Sequence, residues 1–155
     1  GTAAAAKAAP AKIDAAKNWT TLKSGDRFTG LTITLAEGAA SLRGKLDIPA
    51  ATKLPVDVDL FLVPAEKEKA DDVLRYFVAE LLADGTFSAD NLAPGRYWIV
   101  TQQRAGTERP ATLKLRLPDA FETRIKLRRA AEVMNTAIEL KPCQSVTDYS
   151  LKLEP

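Results

Sequence analysis

Seventeen residues, Asp84 to Val100, read DGTFSADNLAPGRYWIV and place two turn signals around two short strand patterns. Asp84-Gly85 is a hairpin signal, because these residues accept the positive φ of a two-residue turn. Ala93-Pro94-Gly95 is a second turn: proline presets one φ and glycine frees the position after it. Phe87 lies in the strand pattern between them, and Arg96 to Val100 form the next. Two stereochemically distinct turns this close together leave no room for a helix, so the region is compact β-structure.

The rest of the chain follows the same alternation. Phe28 to Ala36 sets Leu31, Ile33 and Leu35 on one face and Thr32 and Thr34 on the other, a half-buried strand. Ala40 to Leu46 is the next, and Gly44 on its apolar face signals a bulge or a close backbone approach. Val56 to Val63 turns Val56, Val58, Leu60 and Leu62 inward and leaves Asp57 and Asp59 on a solvated face; Pro64 ends it. Residues 65–75 are charged and suit a helical turn or loop. Tyr76 to Ala83 and Thr86 to Ala89 form a hairpin about Asp84-Gly85, Arg96 to Gln103 is a further strand, and Leu113 to Leu117 a brief one. Pro118 then opens an amphipathic helix over 119–134, with Phe121, Ile125, Leu127, Ala130, Ala131 and Met134 toward the sheet. Lys126, Arg128 and Arg129 fall on its wet side. Thr136 to Lys141 and Val146 to Leu153 close the fold. Seven to eight strands with a turn every 8–12 residues predict an all-β antiparallel Ig-like sandwich carrying one inserted helix.

At 155 residues the chain is long enough for one domain and a tail. Residues 1–18 form an Ala-rich linker or arm, and 19–155 a single β-sandwich domain. The chain does not begin with Met or an apolar leader, as expected of a processed protein or a piece of a longer one. No apolar run reaches the length of a membrane span, about 20 residues.

Composition narrows the chemistry. Lys and Arg total 22 against 20 Asp and Glu, too balanced for a dedicated nucleic-acid binder. Histidine is absent, which removes the commonest general base and metal ligand together. The single cysteine, Cys143, has no histidine to activate it and reads as a small buried residue. Asp57-Asp59 and Asp71-Asp72 lack the loop context of a calcium site. No catalytic residue, metal site or cofactor is expected.

The residues Asp84, Gly85 and Phe87, followed by Leu92, Pro94, Gly95 and Tyr97, resemble the carboxypeptidase regulatory-like domain family. Gly44 fits that family's glycine-containing first strand. The likeness covers about residues 38–103 and implies a transthyretin-like (prealbumin-like) sandwich of the bacterial extracytoplasmic type. It implies a non-catalytic structural or protein-interaction module located in the periplasm, at the cell surface or in secreted material. The expected partners are other protein subunits or neighbouring domains, with self-association through the arm or edge strands. The lead-in GLTITLAEGAASLRGKL looks like a joint between successive modules. Carbohydrate binding through exposed aromatics is the alternative, with Trp19 and Trp98 as the candidate surface and Trp98 expected to face away from Tyr97.

Overall fold

Alternation in the sequence becomes seven strands in a computed structural model that describes residues 14–27, 29–35, 37–49, 58–104 and 112–152. They are β1 (Ala40–Asp47), β2 (Val58–Pro64), β3 (Phe77–Leu81), β4 (Thr86–Leu92), β5 (Gly95–Gln103), β6 (Ala137–Leu140) and β7 (Ser145–Lys152). A short helix, α1 (Thr112–Leu115), and a longer one, α2 (Phe121–Met134), follow β5. The arm through Ile13, together with Phe28, Ala36, Val56, Asp57, the 105–111 connection and Leu153, lies outside the described residues.

The strands form one mixed sheet in the order β6-β5-β2-β3-β4-β1-β7. Every neighbouring pair is antiparallel except β1 and β7, which run parallel from Ser41↔Ser145 to Asp47↔Lys152. The expected antiparallel sandwich is therefore corrected to a single curled sheet, a half-barrel. β3 is the corner: Phe77 to Ala79 pair with β2, whereas Glu80 and Leu81 pair with β4. The curl is obligatory. In a flat sheet of seven strands the outermost two would stand about 29 Å apart. Yet β6 and β7, the outermost two, are joined by Lys141–Gln144, which reaches about 18 Å when fully extended.

Curling gives the sheet an inside. Leu42, Leu60, Leu62, Phe87, Tyr97 and Ile99 fill it, and Leu140 and Leu151 join them from the two outermost strands. Phe77 and Tyr97 meet edge to face at 6.0 Å, and so do Phe87 and Tyr149 at 6.4 Å. Fully burying each large apolar side chain contributes about 1.5–3 kcal/mol. A second cluster lies outside the curl, where Leu115 and α2, through Leu127 and Ala131, cover Phe61, Val63, Tyr76 and Val100. β2 is thus covered on both faces, so every residue from Asp59 to Pro64 is buried.

Several local expectations change. Residues 29–35 form no strand, and Leu31, Ile33 and Leu35 stand in solvent. Residues 113–117 alternate like a strand but belong to α1 and the turn after it, where Thr112 Oγ1 accepts the Val78 N–H. The Asp84-Gly85 turn is not a two-residue one. Gly85 N–H donates to Leu82 O, Leu82 N–H donates to Thr86 O, and Gly85 alone has positive φ, at 82°. This is a three-residue loop with a glycine bulge. Asp59 is not on a solvated face; it is buried and paired with Arg104. Cys143 is exposed rather than buried. It occupies the left-handed position (φ 59°) of the Lys141–Gln144 turn, behind Pro142.

The face that α2 lays on the sheet also differs. Arg124, Leu127 and Ala131 are buried and Arg128 is half-buried, the i, i+3, i+4, i+7 stripe of a packed helix. Phe121, Ala130 and Met134, expected on that face, are exposed. Asn135 ends the helix in left-handed geometry, its N–H donating to Ala131 O.

Candidate interaction surface

Most of the family-like residues lie within the fold. Phe87, Leu92 and Tyr97 are buried. Asp84 Oδ1 accepts from Thr86 Oγ1 at 2.6 Å and from Thr86 N–H at 2.9 Å. These two bonds hold the exposed Asp84 carboxyl below the usual carboxylate range. Gly44 sits where β1 bulges against β7, and a Cβ there would overlap the Tyr149 carbonyl and the Phe87 ring. Tyr97 is locked by its tip: its hydroxyl donates to Ala93 O at 2.7 Å, the geometry of a tyrosine corner. Arg75 braces the same turn, donating to Pro94 O and to Tyr97 Oη. A side chain in place of Gly95 would meet that guanidinium.

What remains available to a partner is concentrated elsewhere. The apolar row of 29–35 is largely solvent-exposed: Leu31 70%, Ile33 74% and Leu35 88%. Trp19 and Leu22 extend the apolar exposure upstream. The segment is tethered near the seam between β6 and β7. Gly38 O accepts the Cys143 N–H at 2.9 Å, and Ser41 N–H donates to Gln144 O at 2.9 Å. Among the described residues β6 pairs only with β5 and β7 only with β1, so each presents one open edge at that seam.

A cleft of about 570 Å³ lies on the outer side, between α2, the residues around Ala70 to Val73 and the turn at 14–19. That turn is pinned by Val73 N–H donating to Ala16 O at 3.0 Å. The Tyr76 hydroxyl lies deep in it and donates to Ala70 O at 2.6 Å. Burial pushes its pKa up to about 12, although Arg128 and Arg124 pull the other way. Trp19 lines this cleft, half-exposed. Trp98 is placed apart from it, half-buried on the outer face beneath the Arg128 guanidinium, 5.2 Å from the ring centroid.

Arg128, expected on the wet side, and Arg124, which the apolar pattern did not include, both belong to the packed stripe of α2. Arg124 Nη1 donates to Leu115 O at 2.6 Å and Leu117 O at 2.8 Å. Arg128 donates through Nε to Pro64 O at 3.2 Å and through Nη2 to Ala65 O at 3.3 Å. The signal was present in the spacing 124, 127, 128, 131, which sets both arginines in the packed stripe.

Among the described residues no group of three or more His, Cys, Asp or Glu is arranged to hold a metal ion. No described helix is long and apolar enough to cross a membrane. No family model, curated protein or solved structure matches the chain.

Proposed function

We propose that this chain is a non-catalytic structural or protein-interaction module of an extracytoplasmic protein, surface structure, filament or larger complex. The observation that carries the reading is the solvent-exposed row Leu31, Ile33, Leu35, in a chain whose outermost strands β6 and β7 each present an open edge among the described residues. The segment has the period-two pattern of a half-buried strand, yet has no strand partner among the described residues. A strand of this kind is completed by a neighbour, since main-chain pairing satisfies its backbone groups while the neighbour's core takes alternate side chains. The resemblance of residues 38–103 to carboxypeptidase regulatory-like domains, with their transthyretin-like sandwiches, supports the same reading. So does a composition without histidine, which leaves little for catalysis to use.

The partner is a neighbouring module or subunit with an open sheet edge. Light scattering of the chain over a range of concentrations tests this. The wild-type chain is expected to self-associate. Replacing Leu31, Ile33 and Leu35 together by Asn is expected to abolish the association with the fold intact by circular dichroism. Unchanged association in the triple variant would remove the basis of the reading.

A further inference from the structure

The cleft beside α2 is a separate surface and owes nothing to strand pairing. Its lining has four cationic side chains, Lys17, Arg124, Arg128 and Arg129, against one carboxylate, Asp71. Two of the four are not ordinary surface charges. Arg124 is 5% exposed and Arg128 half-buried, and neither has a carboxylate within ion-pair distance among the described residues. Their partners are neutral carbonyls and aromatic faces, Tyr76 beside Arg124 at 5.9 Å and Trp98 beside Arg128 at 5.2 Å, which fix the guanidinium planes but supply no formal negative charge. A guanidinium has five N–H donors, and each of these two engages only two of its own in described hydrogen bonds. Burying a cation without a counter-ion is costly, so an anion entering the cleft offsets an unfavourable term already built into the fold.

The remaining walls select the kind of anion. Trp19 is 51% exposed and Phe121 50%, and with Ile125 they give the cleft an apolar side. Asp71 faces the entering ligand as an acceptor and opposes a dense polyanion. We infer that the cleft binds an acidic peptide segment of a protein partner, with a carboxylate on the Arg124–Arg128 pair and an adjacent apolar side chain on Trp19 and Phe121. A volume of about 570 Å³ lies within the range of small-ligand pockets, about 300–1,000 Å³, room for a few side chains of a peptide. Lys17 and Arg129, both exposed at the rim, steer the encounter.

Titration calorimetry of the full chain with a synthetic peptide of alternating Glu and Leu tests this, with the Gln-for-Glu peptide as reference. The Glu peptide is expected to bind and the Gln peptide to bind at least about tenfold more weakly. The rim double variant K17E/R129E is expected to lose about tenfold or more for the Glu peptide, with added salt narrowing the gap. Neither rim side chain makes a described hydrogen bond or ion pair, so the variant is expected to melt with the wild type. If it does not, K17Q/R129Q carries the same comparison. Equal affinity for the two peptides, unchanged affinity in the rim variant, no detectable binding, or binding of an anionic oligosaccharide in place of the peptide would each overturn the inference.

Discussion

Arg104 grips Asp59 with two nitrogens, Nη2 at 2.7 Å and Nε at 3.1 Å from Oδ1, at a position where the aspartate is 7% exposed. Asp59 faces outward on β2, directly across from Gln102 on β5. Asp59→Ala is expected to cost about 3 kcal/mol, because it removes the buried carboxylate that accepts from two of the Arg104 nitrogens. Replacing both residues by Leu should recover most of that loss. Urea unfolding midpoints of the two variants decide it: equal destabilisation by the single and double changes would show that the pair contributes through packing alone.

Gly44→Ala tests the closest approach in the sheet. The new methyl has nowhere to go between the Tyr149 backbone and the Phe87 ring, so β1 and β7 must separate. A loss of about 3 kcal/mol or more is expected, the upper range for overpacking. Thermal melts check it, and a melting temperature within a degree of wild type would mean that β7 accommodates the change.

The alkaline limit of stability should depend on tyrosine. The Tyr76 pKa is about 12 in the folded chain against 10.0 for the free side chain, and burial raises Tyr97 and Tyr149 in the same direction. The protonated form is the one favoured by folding. The contribution of Tyr76 is therefore complete below pH 10 and is lost as pH rises from about 10 through 12. Denaturant unfolding at successive pH values should show stability falling across that window, and Tyr76→Phe should flatten the fall. A variant with the wild-type alkaline slope would assign the effect to the other two rings.

Cys143→Gly is expected to stabilise by up to about 1 kcal/mol. Left-handed backbone disfavours a Cβ by about 1–2 kcal/mol, partly offset by the extra freedom of glycine when unfolded. Cys143 has φ 59° and is exposed, so no packing is lost. The measurement is again the unfolding midpoint; a lower midpoint would show that the thiol has contacts worth more than the strain. The same exposure makes Cys143 of the native chain accessible to a thiol reagent.

Where one face of a strand meets water and the other the core, the sequence was readable. Phe87 and Tyr97 point inward as their alternation requires, and α2 begins within three residues of its proline signal; Leu92 is inside only because β4 bulges at Asn91, φ 57°, and so shifts the alternation by one. Pattern failed where the outcome depended on what else the fold brings near. Leu31, Ile33 and Leu35 alternate as well as any strand, but alternation specifies a face and not the existence of a neighbour. Arg128 reads as wet because it is charged, and the same charge hides Arg124 from a search for apolar spacing. Their stems pack and their heads reach carbonyls at 64, 65, 115 and 117, which only the tertiary fold gathers. The parallel pairing of β1 with β7 has no local signal at all.

That pairing has a consequence for how the molecule is made. Ser41 and Ser145, hydroxyl to hydroxyl at 2.9 Å, are separated by 104 positions along the chain. On a translating ribosome β1 emerges first among the described strands and its parallel neighbour last. The β3–β4 hairpin and the antiparallel pair β2–β5 can zip while synthesis continues, but one side of β1 stays unsatisfied until β7 is released. Loop closure over that distance is a slow step that local contacts do not hasten. The nascent chain is most vulnerable to pairing with the wrong strand during this interval, and a stop codon before Ser145 would make the vulnerability permanent.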